Sequence, residues 1–173
     1  MIGMKSLPRA TIPAALAKAE RYRLLNEPEE AESICRDILD VDPTHEAALV
    51  NFLLSVTDQF PRRTLRDAQE VQARLASPYD RAYYGGLMLE RWAKAQIDRV
   101  PPNVIYHLID DALAAFDEAS KLGGEDNPDA ILRWNACVRL LAAHPELQPK
   151  ASDEPGGEGY GWDEPPAARP SRR

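Results

Sequence analysis

Proline recurs in this chain wherever a run of apolar, helix-forming residues stops, and a second run starts within a few residues. In "DILDVDPTHEAAL", residues 37–49, one run ends at Asp42-Pro43 and another opens directly after it. The same break appears at Phe60-Pro61, Ser77-Pro78, Pro101-Pro102 and Asn127-Pro128. Proline lacks a backbone donor, and it drives the residue before it out of the helical region. Each break therefore turns the chain. Short helices cut this often bury their apolar faces only against their neighbours, which predicts stacked helical hairpins.

Between the breaks, the spacing predicts helices over residues 13–25, 29–41, 44–59, 63–76, 80–98, 104–122 and 129–143. Pro13, Pro28 and Pro128 suit first helical turns, and Asn26 and Asn127 suit caps. Apolar residues fall at helical spacing. Ala31, Ile34, Cys35, Ile38 and Leu39 form one stripe, and Ala48, Leu49, Phe52, Leu53 and Val56 another. Tyr84, Leu87, Met88 and Trp92 form a third. Gly85-Gly86 either weaken their helix or let a neighbour approach closely. Gly123-Gly124 form a helix stop. No segment alternates like a strand, so the expected class is all-α with about seven helices. Residues 1–11 read as a flexible N-terminus and 12–144 as a helical repeat domain. Residues 145–173, rich in Pro, Gly and acid, read as a disordered tail.

The 173 residues suit one domain. A net charge of −7 argues against a nucleic-acid partner, which calls for a basic stripe. No apolar run reaches the length of a membrane span, so no membrane insertion is expected. Lys5 and Arg9 interrupt the N-terminal stretch, which does not read as a signal peptide. Cys35 and Cys137 stand alone inside apolar helical patterns and read as buried free thiols. A cytoplasmic location follows as the default.

No phosphate loop, dinucleotide fingerprint, zinc-protease or nucleophile-elbow motif is present. The chain is expected not to be an enzyme and to use no cofactor. His45, His107 and His144 are scattered, so no metal site is expected. The carboxylates of "DEASKLGGEDNPD" read as a solvated turn rather than a calcium loop.

An acid-alanine pair recurs in alternate helices: Glu30-Ala31, Asp67-Ala68 and Asp111-Ala112. The alanines lie 37 and 44 residues apart. Ala19, Tyr22, Ala31, Ile38 and Pro43 in the first unit, Ala112, Phe116 and Ala119 in the third, and only Ala68, Leu75 and Pro78 in the second carry a resemblance to a known repeat. On these residues the chain resembles the tetratricopeptide repeat family, whose unit is about 34 residues. Three degenerate repeats would cover residues 12–143, and the seventh helix would be a terminal cap. The cap's Ile131, Trp134, Val138 and Leu141 are expected to cover the last hairpin. The first repeat departs from the family by lacking its tryptophan, leucine and glycine, and Cys35 replaces an aromatic.

The resemblance implies a right-handed superhelix with a concave groove lined by the first helices. It would place Leu16, Glu20, Arg23, Val50, Asn51, Leu54, Tyr83, Leu87 and Arg91 on or near that groove. Asn51 matches one asparagine of the family's chaperone carboxylate clamp. Leu16 and Glu20 stand where a lysine and another asparagine are needed, which argues against that clamp. Arg62, Arg63 and Arg66 read either as an ordinary charged outer face or as a small basic patch for an acidic peptide or the tail. Tyr79, Tyr83, Tyr84 and Trp92 are too many for one stripe; they are either wedged between hairpins or partly open for binding.

The function expected is a non-catalytic protein–protein interaction module, an adaptor or scaffold that binds a peptide or helical segment. A dedicated secretion-type chaperone and a docking subunit of an enzyme complex are the alternatives. The expected partner is another protein or peptide, with a second copy of the chain included.

Overall fold

The computed structural model describes residues 3–149. Seven α-helices follow in order: α1 Ile12–Leu24, α2 Pro28–Val41, α3 Glu46–Asp58, α4 Leu65–Gln72, α5 Pro78–Gln96, α6 Pro102–Leu122 and α7 Asp129–Ala143. Single 3-10 turns at Arg9–Thr11 and Pro145–Leu147 flank them. There is no strand among the described residues.

Prolines open α2, α5 and α6, as their fixed φ allows. The cap expected at Asn26 is not formed. Asn26 instead takes a left-handed conformation with φ 60, which asparagine tolerates, and Glu27 precedes the helix. His45 caps α3, its Nδ1 accepting the Ala48 N–H at 3.2 Å. Thr64 and Asp67 form a capping box at α4. Desolvation pushes the Asp67 carboxyl up, but the hydrogen bonds from Thr64 and the nearby Arg63 and Arg66 together hold it below its ordinary value.

Consecutive helices pack as hairpins, α1 on α2 through α6 on α7. Alternate helices also touch: α1 meets α3, α3 meets α5 and α5 meets α7, so the odd-numbered helices form a continuous layer. Small residues sit where the helices are closest. Ala19, Ala31, Ala48, Ala68, Ala112 and Ala119 are all fully buried, with Cys35, Ile38, Leu49 and Phe116 around them. At Gly86 a neighbouring helix comes close. A Cβ there would lie 2.8 Å from the Phe116 ring, so Gly86 serves a neighbour's approach, and α5 runs through the glycine pair unbroken.

Three further expectations change. α4 stops at Gln72 rather than near Ala76. Glu46 of α3 accepts the Ala76 N–H at 3.0 Å and the Ser77 N–H at 3.2 Å, while Arg81 donates to the Leu75 and Ala76 carbonyls. These contacts hold residues 73–77 as a turn with Leu75 tucked inward. In α7 the expected covering face is reversed: Ala130 and Cys137 are buried, and Ile131, Trp134 and Val138 are exposed. The helical domain also runs past residue 144, because Leu147 is buried in the core. The rest of the expected tail, 150–173, lies outside the described residues.

Candidate functional site

The odd-helix layer carries a charge bridge that joins three hairpins. Asp58, the last residue of α3, takes Arg23 of α1 on one oxygen and Arg91 of α5 on the other. Arg23 Nε donates to Asp58 Oδ2 at 2.8 Å. Arg91 Nη1 donates to Asp58 Oδ1 and also to Thr57 Oγ1, the latter at 2.7 Å. The three side chains are only 20%, 24% and 27% exposed. Burial pulls the Arg91 guanidinium below its ordinary value, against the opposing pull of Asp58. Two cations share one anion here. Towards the described residues Arg23 uses only Nε and Arg91 only Nη1, and a guanidinium carries five N–H donors.

A second cluster continues the layer towards α7. Glu90 of α5 is fully buried, and its Oε1 accepts from Lys94 Nζ. Its Oε2 lies 3.6 Å from Arg133 Nη1 of α7 and accepts no hydrogen bond from the described residues. Again two cations share one carboxylate, so the layer carries positive charge in an acidic chain.

Of the residues expected on a groove, the structure brings Arg23 and Arg91 together. Leu16, Val50 and Leu54 lie half-buried against the core, and Glu20 is exposed. Asn51 and Leu87 are buried and do not line an open surface. Asn51 donates its side-chain N–H to the Ala47 carbonyl at 3.0 Å, within its own helix. Tyr83 faces elsewhere. It stacks on Tyr79 at 5.7 Å, meets Tyr84 edge-on and lies 6.0 Å from Phe116. The tyrosines are thus wedged between hairpins, and burial pushes the Tyr84 hydroxyl up to about 12. Asp58 is the member that the sequence reading missed. It stood in "SVTDQF" as a helix-closing residue, with no local sign of two partners more than 30 residues away on either side.

The expected basic patch is neutralised. Arg62 pairs with Glu29, Arg63 with Glu32 and Asp67, and Arg66 with Glu70. Glu32 is buried and also holds Arg36 and Gln59. Both thiols are buried and unpaired, and burial pushes Cys35 and Cys137 up to about 12. No group of metal-ligating side chains comes together among the described residues. Among them, too, no helix is long and apolar enough to cross a membrane.

Fold and surface together define an all-α protein whose alternate helices share one charge-bridged layer. No family model, no curated protein sequence and no solved structure matches the chain.

Proposed function

We propose that this chain is a non-catalytic protein interaction module with tetratricopeptide-like, right-handed superhelical stacking. It takes a peptide or helical segment of a partner against the odd-numbered helices, and Arg23 and Arg91 bind a carboxylate of that segment. What carries this reading is the convergence of Arg23 and Arg91, from α1 and α5, on Asp58. They keep spare donors and stand half-shielded from water, where charge-assisted hydrogen bonds are least screened. Arginine suits this task because its planar fork matches a carboxylate in a bidentate geometry.

A displayed library of random peptides, selected against the whole protein, tests the proposal. Selected sequences should share an acidic residue or a free C-terminal carboxylate. Arg91→Ala should weaken them by about 2 kcal/mol, the scale of an interface anchor. Arg62→Ala with Arg63→Ala, on the neutralised outer face, should leave affinity almost unchanged. Selected peptides that lack a carboxylate, or that bind Arg91→Ala as tightly as the parent, overturn the assignment.

A further inference from the structure

α1 and α7 are the end members of the odd-helix layer, and each has a single neighbour within it, α3 for α1 and α5 for α7. The two ends carry surfaces of different kinds. On α7 the surface is an apolar row: Ile131 is 54% exposed, Trp134 37% and Val138 45%, at helical spacing. A contiguous apolar patch on a small protein marks a surface that something covers. Glu125 and Asp126, in the turn before α7, and Asp129, in its first turn, are exposed. None of the three pairs with a cation among the described residues.

On α1 the surface is a hollow of about 440 Å³, lined by Ala14, Ala17, Lys18, Arg21, Tyr22 and Leu25. These positions follow one helical stripe, and the buried Ile12 and Ala19 lie on the other side of the helix. The alanines leave the room, and the longer side chains stand around it. Lys18 Nζ lies 5.7 Å from the Tyr22 ring centroid. Neither Lys18 nor Arg21 pairs with an acid among the described residues.

Charge complementarity chooses the occupant. One end of the layer offers unpaired cations around a hollow, and the other offers unpaired carboxylates beside an apolar row. An acidic surface with an aromatic side chain fits the hollow, and α7 of a second copy is such a surface. With the two helices antiparallel and Trp134 over Ala17, Asp129 and Tyr22 stand equally far from that contact, about 7.5 Å along the axes. Asp129 then falls beside Arg21. Two α7 rows packed on each other would instead leave the α1 hollow open, and Lys18 and Arg21 without acids.

We propose that copies of this chain associate head to tail, the α7 row of one seated in the α1 hollow of the next, with Trp134 against Ala14 and Ala17. The two surfaces differ, so the contact is heterologous: a pair keeps one free hollow and one free row, and further copies add.

Sedimentation velocity of the full chain tests this. The wild-type coefficient should rise with protein concentration past that of a dimer. It should fall back with added salt, which screens the exposed charges. Trp134→Glu alone, and Lys18→Glu with Arg21→Glu, should each leave the chain monomeric. An equal mixture of the two variants should form a dimer and nothing larger, because one keeps its α1 hollow and the other its α7 row. Circular dichroism should show wild-type helicity in each, and Ile131→Glu repeats the α7 arm. A wild-type chain that stays monomeric at every concentration overturns the proposal, and so does a variant mixture that stays monomeric. A dimer kept by Lys18→Glu with Arg21→Glu but lost in Trp134→Glu also overturns it, and would assign the row to a pair of α7 helices.

Discussion

Gly85 and Gly86 are adjacent in one helix, yet replacing them with alanine should move stability in opposite directions. Alanine gains about 1 kcal/mol over glycine in a helix interior at either position. At Gly85 the new Cβ meets only the Gln72 side-chain amide, at 3.2 Å. That amide ends a flexible side chain and can move a few tenths of an ångström, so most of the gain should survive. At Gly86 the Cβ would stand 2.8 to 3.0 Å from three carbons of the Phe116 ring. Phe116 is fully buried, and overpacking a core of this kind costs about 1–3 kcal/mol. Gly86→Ala should therefore destabilise by about 1 kcal/mol net, while Gly85→Ala stabilises by a little under 1 kcal/mol. The helix-propensity gain cancels in the difference between the variants, which isolates the ring contact. Urea unfolding followed by circular dichroism reads both midpoints. Phe116→Leu in the Gly86→Ala background should recover part of the loss. A Gly86→Ala protein as stable as Gly85→Ala would refute the packing of α5 on α6.

Ala31→Leu and Ala112→Leu should each cost about 1–3 kcal/mol in the same assay, because both alanines are fully buried between paired helices. Lys94→Ala with Arg133→Ala leaves the buried Glu90 without a cation. Such a loss costs about 3–5 kcal/mol for a fully buried pair, and about 2 kcal/mol here, since the cations are 46% and 38% exposed. Glu90→Gln, which removes the buried charge itself, should cost less than that double variant in urea unfolding. Burial raises Cys35 and Cys137 to about 12 from 9.0, and Tyr84 to about 12 from 10.0. Above about pH 9 the unfolded chain loses these protons while the folded one keeps them, so stability should fall towards pH 12. Urea midpoints at about pH 8 and about pH 10.5 check this, and neither thiol should react with a thiol reagent while the protein is folded.

Much of the fold was written in local signals. Proline punctuation located six of the seven helices closely, because each break is a backbone restriction acting on its own neighbours. The recurring alanines Ala31, Ala68 and Ala112 are all fully buried, as expected of small residues on an inward face. The short α4 was not legible. Its end is set by Glu46, about 30 residues earlier, capping the turn at Ala76 and Ser77. The face of α7 was misread because that helix has two apolar rows and periodicity cannot choose between them. Arg133 must reach Glu90 of α5, and this turns Ala130 and Cys137 inward. The charge bridge was half visible. Arg23 and Arg91 were singled out by a resemblance to a repeat family, whereas Asp58 acquires meaning only once α1, α3 and α5 lie side by side.

The most direct test of an odd-helix binding surface is chemical-shift mapping. A peptide selected on the whole protein would be titrated into the isotope-labelled chain, and amide and arginine side-chain signals followed. The largest changes should fall on Arg23, Leu54, Asp58 and Arg91. Changes concentrated on α2, α4 and α6, with Arg23 and Arg91 unmoved, would contradict the account.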